Sequence, residues 1–121
     1  MKYRFFEELP VWKQGFEITE RIYKETNKGA FSKDYGLRDQ IRRSAISITS
    51  NIAEGFERSN TKEFIRFLAY AKASAAEARS QTRLAIVLKY ISPDSGKELL
   101  TTLTGIGSSL SGFMTYLKSR L

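Results

Sequence analysis

Residues 99–117 read LLTTLTGIGSSLSGFMTYL, nineteen positions without a charge. A segment of that length can in principle span a bilayer, so its reading decides between a membrane protein and a water-facing helical one. Composition settles it: ten of the nineteen are Thr, Ser or Gly. The apolar residues fall in one line, Leu99, Leu103, Ile106, Leu110, Phe113 and Leu117, at alternating steps of four and three as in a coiled-coil seam. This is an amphipathic helix with one apolar stripe. Its back is unusual, because Thr101, Thr104, Ser108, Ser111 and Thr115 lie opposite the seam, with Gly105 and Gly112 on the flank. An exposed helix normally carries Lys and Glu there, and small neutral residues allow a second helix to approach closely. The pattern predicts a subunit interface at Thr104, Gly105, Ser108, Ser111, Gly112 and Thr115. A solvent-facing helix that happens to be polar without charge is the competing reading. Gly105-Ile106-Gly107 lacks the preceding strand and the following Lys-Ser/Thr of a phosphate-binding loop.

Working outward, three more periodic segments precede this one. Pro10 suits a first helical turn, and Trp12, Phe16, Ile18, Ile22 and Tyr23 follow before Asn27 and Gly29 stop the pattern. A second segment begins near Ser32 or Asp34 and places Leu37, Ile41, Ala45, Ile48, Ile52 and Phe56 on one face, with Gly55 as its expected stop. Asn60 with Glu63 opens a third, whose period runs from Phe64 to Leu88. Ser92-Pro93-Asp94 then supplies a cap, a first-turn proline and a first-turn acid. The expected helices cover about 10–28, 33–56, 60–91 and 93–119. No stretch alternates long enough for a strand. The predicted fold is all-α, one domain over residues 1–121, an antiparallel up-down four-helix bundle that is oligomeric.

Composition narrows the chemistry. Histidine and cysteine are both absent, which removes imidazole acid–base chemistry, thiolate nucleophiles and most transition-metal sites. On the second helix Gln40, Ser44, Ser47, Asn51, Glu54 and Arg58 form a polar stripe beside the isoleucine face. Ser47 has no activating base beside it and Glu54 no second carboxylate one turn away, so the stripe does not read as catalytic. Ser47, Asn51, Glu54 and Arg58 are expected to be structural, with Asn51 and Glu54 bonding to a neighbouring helix near Gly55. The expectation is a protein that is not an enzyme and needs no cofactor or metal. MKYRFFEELPVW carries acids where a signal peptide needs an apolar run, and the missing cysteines suit a reducing compartment, so a cytoplasmic location without membrane association is expected.

Twenty Lys and Arg against thirteen Asp and Glu give a net charge of +7. That balance suits a polyanion such as RNA or DNA, and it also keeps a protein soluble. Lys72, Arg79 and Arg83 share one flank of the third helix, Lys62 and Arg66 another, and Arg38 and Arg42 stand one turn apart on the second. These seven are the candidate phosphate contacts. Phe56, Tyr70 and Tyr90 are assigned to packing, which leaves no stacking platform for bases.

Several stretches together resemble one family, the 23S rRNA intervening-sequence proteins, also called four helix bundle proteins. The carriers are Leu9-Pro10-Val11-Trp12, Tyr23, Tyr35-Gly36-Leu37, Gln40-Ile41-Arg42-Arg43, Ser47-Ile48, Ser50-Asn51-Ile52-Ala53-Glu54-Gly55, Arg58, Glu63-Phe64 and Phe67-Leu68. Ser32, Thr49 and Ala73 depart from frequent family residues and bear only on local helix geometry. The resemblance implies an all-α bundle, commonly a homopentamer, with no established enzymatic activity. A similar bundle is the accessory protein of diversity-generating retroelements, a basic pentameric barrel that works with a reverse transcriptase and nucleic acid. By that analogy the partners are other copies of the chain and either nucleic acid or a protein that processes it; a purely structural self-assembling protein is the alternative.

Overall fold

The computed structural model describes residues 2–121. Four helices form: α1 Pro10–Thr26, α2 Tyr35–Phe56, α3 Thr61–Val87 and α4 Pro93–Lys118, with short 3-10 turns at Phe6–Glu8 and Gly29–Lys33. No strand forms among the described residues, and no helix is long and apolar enough to cross a membrane. Three of the four starts, those of α2, α3 and α4, follow from a local bond. The Asp34 carboxylate accepts the Leu37 N–H at 3.1 Å, the Asn60 side chain accepts that of Glu63 at 3.0 Å, and Ser92 Oγ accepts that of Ser95 at 3.1 Å; each satisfies an N–H that the first turn leaves orphaned. Before α1, the Glu8 carboxylate accepts the N–H groups of Phe5 at 3.0 Å and Arg4 at 2.7 Å. Those two bonds hold its pKa below the ordinary value and order the chain's approach to the bundle.

The expected stripes face inward except at Phe16, Tyr23 and Leu88, which are exposed, as is Tyr70, which the sequence assigned to packing. Ile41, Ile48 and Ile52 of α2, Leu103, Ile106 and Leu110 of α4, and Ile18 and Ile22 of α1 are buried in one core. Full burial of each such side chain contributes about 1.5–3 kcal/mol. Helix α3 packs against both α2 and α4, while α1 packs on α2 and less on α4. The inner row of α3 is Ala71, Ala75, Ala78 and Ala85, and short side chains let its neighbours draw near. Close approach also explains Gly55, which lies inside α2 rather than ending it. A β-carbon there would come within 2.6 Å of Phe67 Cβ and 3.0 Å of the Phe64 ring. The helix runs on through Phe56 to a right-handed C-cap at Glu57.

The third helix stops at Val87, four residues short of the expected Ile91. Lys89 takes a positive φ of 63°. The Tyr90 N–H reaches the Ala85 carbonyl at 2.9 Å and the Lys89 N–H that of Ile86 at 3.0 Å, the paired bonds of a Schellman ending. Its left-handed position usually holds glycine, and a lysine there carries no stop signal. Tyr90 then crosses to the α1–α2 connection. Its hydroxyl donates to Asp34 Oδ2 at 2.9 Å, and its ring stacks on buried Phe31 at 5.3 Å. The Leu37 N–H and then the Tyr90 hydroxyl hold the Asp34 carboxyl below its ordinary pKa, and the same bond pushes the Tyr90 phenol up. Helix α1 ends at Thr26 rather than 28, and the 3-10 turn at Gly29–Lys33 delays α2 to Tyr35.

Candidate functional site

The polar stripe of α2 bonds along itself. Asn51 Nδ2 donates to the Ser47 carbonyl at 2.8 Å and to Ser47 Oγ at 3.2 Å, and Ser44 Oγ donates to the Gln40 carbonyl at 3.1 Å. The expected bonds from Asn51 and Glu54 to a neighbouring helix are therefore replaced by i to i−4 bonds within α2, a geometry a short polar side chain reaches without any partner helix. Glu54 lies 3.8 Å from Arg58, and it is Arg58 that crosses to α3, 3.8 Å from Glu63 and over the Phe67 ring at 4.9 Å. Ser47 receives a bond from an amide and has no base, so its hydroxyl is not activated.

The seven candidate cations divide. Arg38 donates to the Ser32 carbonyl at 3.0 Å and Asp39 at 2.9 Å and stacks on Tyr35. Arg42 donates to buried Thr26 Oγ1 at 2.8 Å and lies 4.4 Å over Tyr23. Both guanidiniums thus fasten the α1–α2 connection. Arg66 pairs with Glu63 at 2.7 Å and lies over Phe67 and Tyr70. Arg79 is half-buried, its Nε enclosed without a hydrogen-bond partner. Lys62, Lys72 and Arg83 are exposed and outside the ion pairs among the described residues. Lys72 and Arg83 stand about 16 Å apart along one flank at about 1.5 Å per residue.

On α4, Thr104, Gly105, Ser108, Gly112 and Thr115 are exposed and Ser111 is half-buried. A β-carbon added at Gly105, Gly107 or Gly112 would meet nothing within 4 Å. The chain's own packing therefore does not require these glycines, although each costs a helix about 0.5–1 kcal/mol relative to alanine. Neighbouring α3 repeats the theme on its outer side: Ala69, Ala73, Ala76, Ser80, Leu84 and Val87 are all exposed, Val87 by 75%. Their spacing places them on one line about 180° from the inner alanines. Sequence reasoning missed this line because α3 is alanine-rich on both sides, so the outer period merges with the inner one. It also missed a gathering of aromatic and basic residues at one end of the bundle, where Tyr116 is 44% exposed with the Arg120 guanidinium 4.9 Å over its ring.

A family model described as 23S rRNA-intervening sequence protein matches residues 7–112. No curated protein matches the chain. Among solved structures the chain is similar to a protein of unknown function from the S23 ribosomal protein family of Bacteroides thetaiotaomicron, at 27% identity and a TM-score of 0.79, over 86% of this chain and 97% of that one.

Proposed function

The chain belongs to the 23S rRNA-intervening sequence protein family, and from that premise we propose that it is a self-associating, non-enzymatic basic bundle that acts as a scaffold for nucleic acid. The observation that carries this reading is the separation of charge. From Ala69 on, the outer side of α3, like that of α4, is lined by small or apolar neutral residues, with three α4 glycines at which an added β-carbon would meet nothing within 4 Å, while the molecule as a whole carries +7. A neutral face of small residues suits a second copy; the charged remainder stays available to a polyanion. We take the topology as antiparallel up-down. Gly15 beside Thr49, Thr19 bonded to the Ala45 carbonyl, and Thr26 bonded to Arg42 support it, since rising numbers in α1 meet falling numbers in α2.

A pentamer, as the family resemblance implies, would carry about +35, five times the single-chain charge, and such a field recruits polyanions strongly at low salt. The test is binding of mixed RNA and DNA to the full chain as salt is raised. Affinity that falls steeply with salt is expected, because displaced counterions drive the association. No binding at about 50 mM salt removes the nucleic-acid role and leaves a purely structural assembly protein.

A further inference from the structure

A cleft of about 840 Å³ opens at the end of the bundle where the first residues of the chain, the α2–α3 connection and the last turns of α4 meet. Its size lies within the range of about 300–1,000 Å³ usual for small-ligand pockets. Three cations line it, Lys2, Arg58 and Arg120, and no carboxylate does. Lys2 and Arg120 form no ion pair among the described residues, and the two carboxylates near Arg58 stand at 3.8 Å. The start of the 27-residue α3 also borders the cleft at Thr61, adding the positive end of a helix dipole.

The floor is aromatic. Phe64 meets Phe113 edge-on at 5.4 Å, and Phe113 lies 6.5 Å from Tyr116. Tyr116 is the ring left open to solvent, with Arg120 layered over it. An exposed tyrosine ring and a guanidinium are both surfaces on which a flat base stacks. Phosphate alone would use the cations and leave the rings idle; an apolar ligand would leave three cations unmatched.

We infer that this cleft takes one unpaired nucleotide, its phosphate among Lys2, Arg58 and Arg120 and its base against Tyr116. The inference deepens the nucleic-acid reading and rests on it for the source of the nucleotide, a strand rather than the free compound. A base held in a duplex has both faces stacked and does not fit.

The experiment uses the full chain and two variants, Tyr116→Ala and Arg120→Ala. Both residues are exposed, so the variants keep the fold, which circular dichroism verifies. AMP and inorganic phosphate are titrated by calorimetry, and a labelled single-stranded RNA octamer and a blunt RNA duplex by fluorescence anisotropy. AMP is expected to bind and to displace the octamer, and each variant to weaken both about ten-fold or more, with the duplex affinity of Tyr116→Ala, which keeps every charge, unchanged. Phosphate displacing the octamer as well as AMP does, with Tyr116→Ala silent, overturns the inference. Equal binding of octamer and duplex with both variants silent overturns it too, yet leaves the nucleic-acid scaffold standing. AMP binding lost in both variants, with neither RNA bound, keeps the nucleotide site and overturns the scaffold.

Discussion

Gly55 of α2 lies so close to Phe67 of α3 that a β-carbon at residue 55 would stand 2.6 Å from the Phe67 β-carbon. Both neighbours are fixed by packing, since Phe67 is buried and Phe64 is held between Phe56 and Phe113. Gly55→Ala must then push α3 away, a cost of the overpacking kind, about 1–3 kcal/mol. Thermal unfolding reads it as a lowered melting temperature; an unchanged or raised one contradicts the close approach.

The α4 glycines predict the reverse. Gly105→Ala and Gly112→Ala add a methyl to open space and gain helix propensity of about 0.5–1 kcal/mol each within the single chain. If a second copy approaches this face, the same methyls weaken assembly. Chemical unfolding at low protein concentration checks the first effect and sedimentation velocity the second. More stable chains with unaltered assembly would move the interface elsewhere.

Lys89 holds a left-handed conformation, φ 63°, at the end of α3. Lys89→Gly removes the steric cost of that conformation and should raise stability by about 1 kcal/mol. The melting temperature should rise by about 3–5 °C for a domain of this size. A fall would show that the lysine side chain supplies something the backbone does not.

The Asp34–Tyr90 bond ties the two connections at one end of the bundle and makes stability depend on acid. The Asp34 carboxyl is lowered on folding, so its contribution is present above its unfolded pKa and is lost as pH falls through the lower folded value. Melting curves from neutral pH into the acid range should show a smaller decline for Asp34→Asn than for the natural chain, from a lower starting point. Parallel declines would contradict the linkage.

What could be read from the residues was whatever a helix decides locally. The α4 seam from Leu99 to Leu117, the α2 isoleucines, and the starts at Asn60 and Ser92 all follow from period and cap chemistry. Where a residue answers to a distant partner, the reading failed. Gly55 resembles a stop because it sits near a helix end, yet its reason is Phe67 on another helix. Arg38 and Arg42 looked like surface cations, while their partners Ser32 and Thr26 lie in and before the turn that precedes α2. The end cleft joins Lys2 to Arg120 across the whole chain, a neighbourhood no local pattern reveals.

The central claim is that the neutral back of α4 meets another copy of the chain, and the native mass of the Ser108→Glu variant tests it most directly. Ser108 is exposed, so the glutamate leaves the fold intact and places a charge where neutral helices would meet. Light scattering should give the natural chain a mass of about 69 kDa, five chains of 13.8 kDa, and the variant a mass that falls toward 13.8 kDa. A natural chain that is already a single copy, or a variant whose mass does not change, would contradict the account.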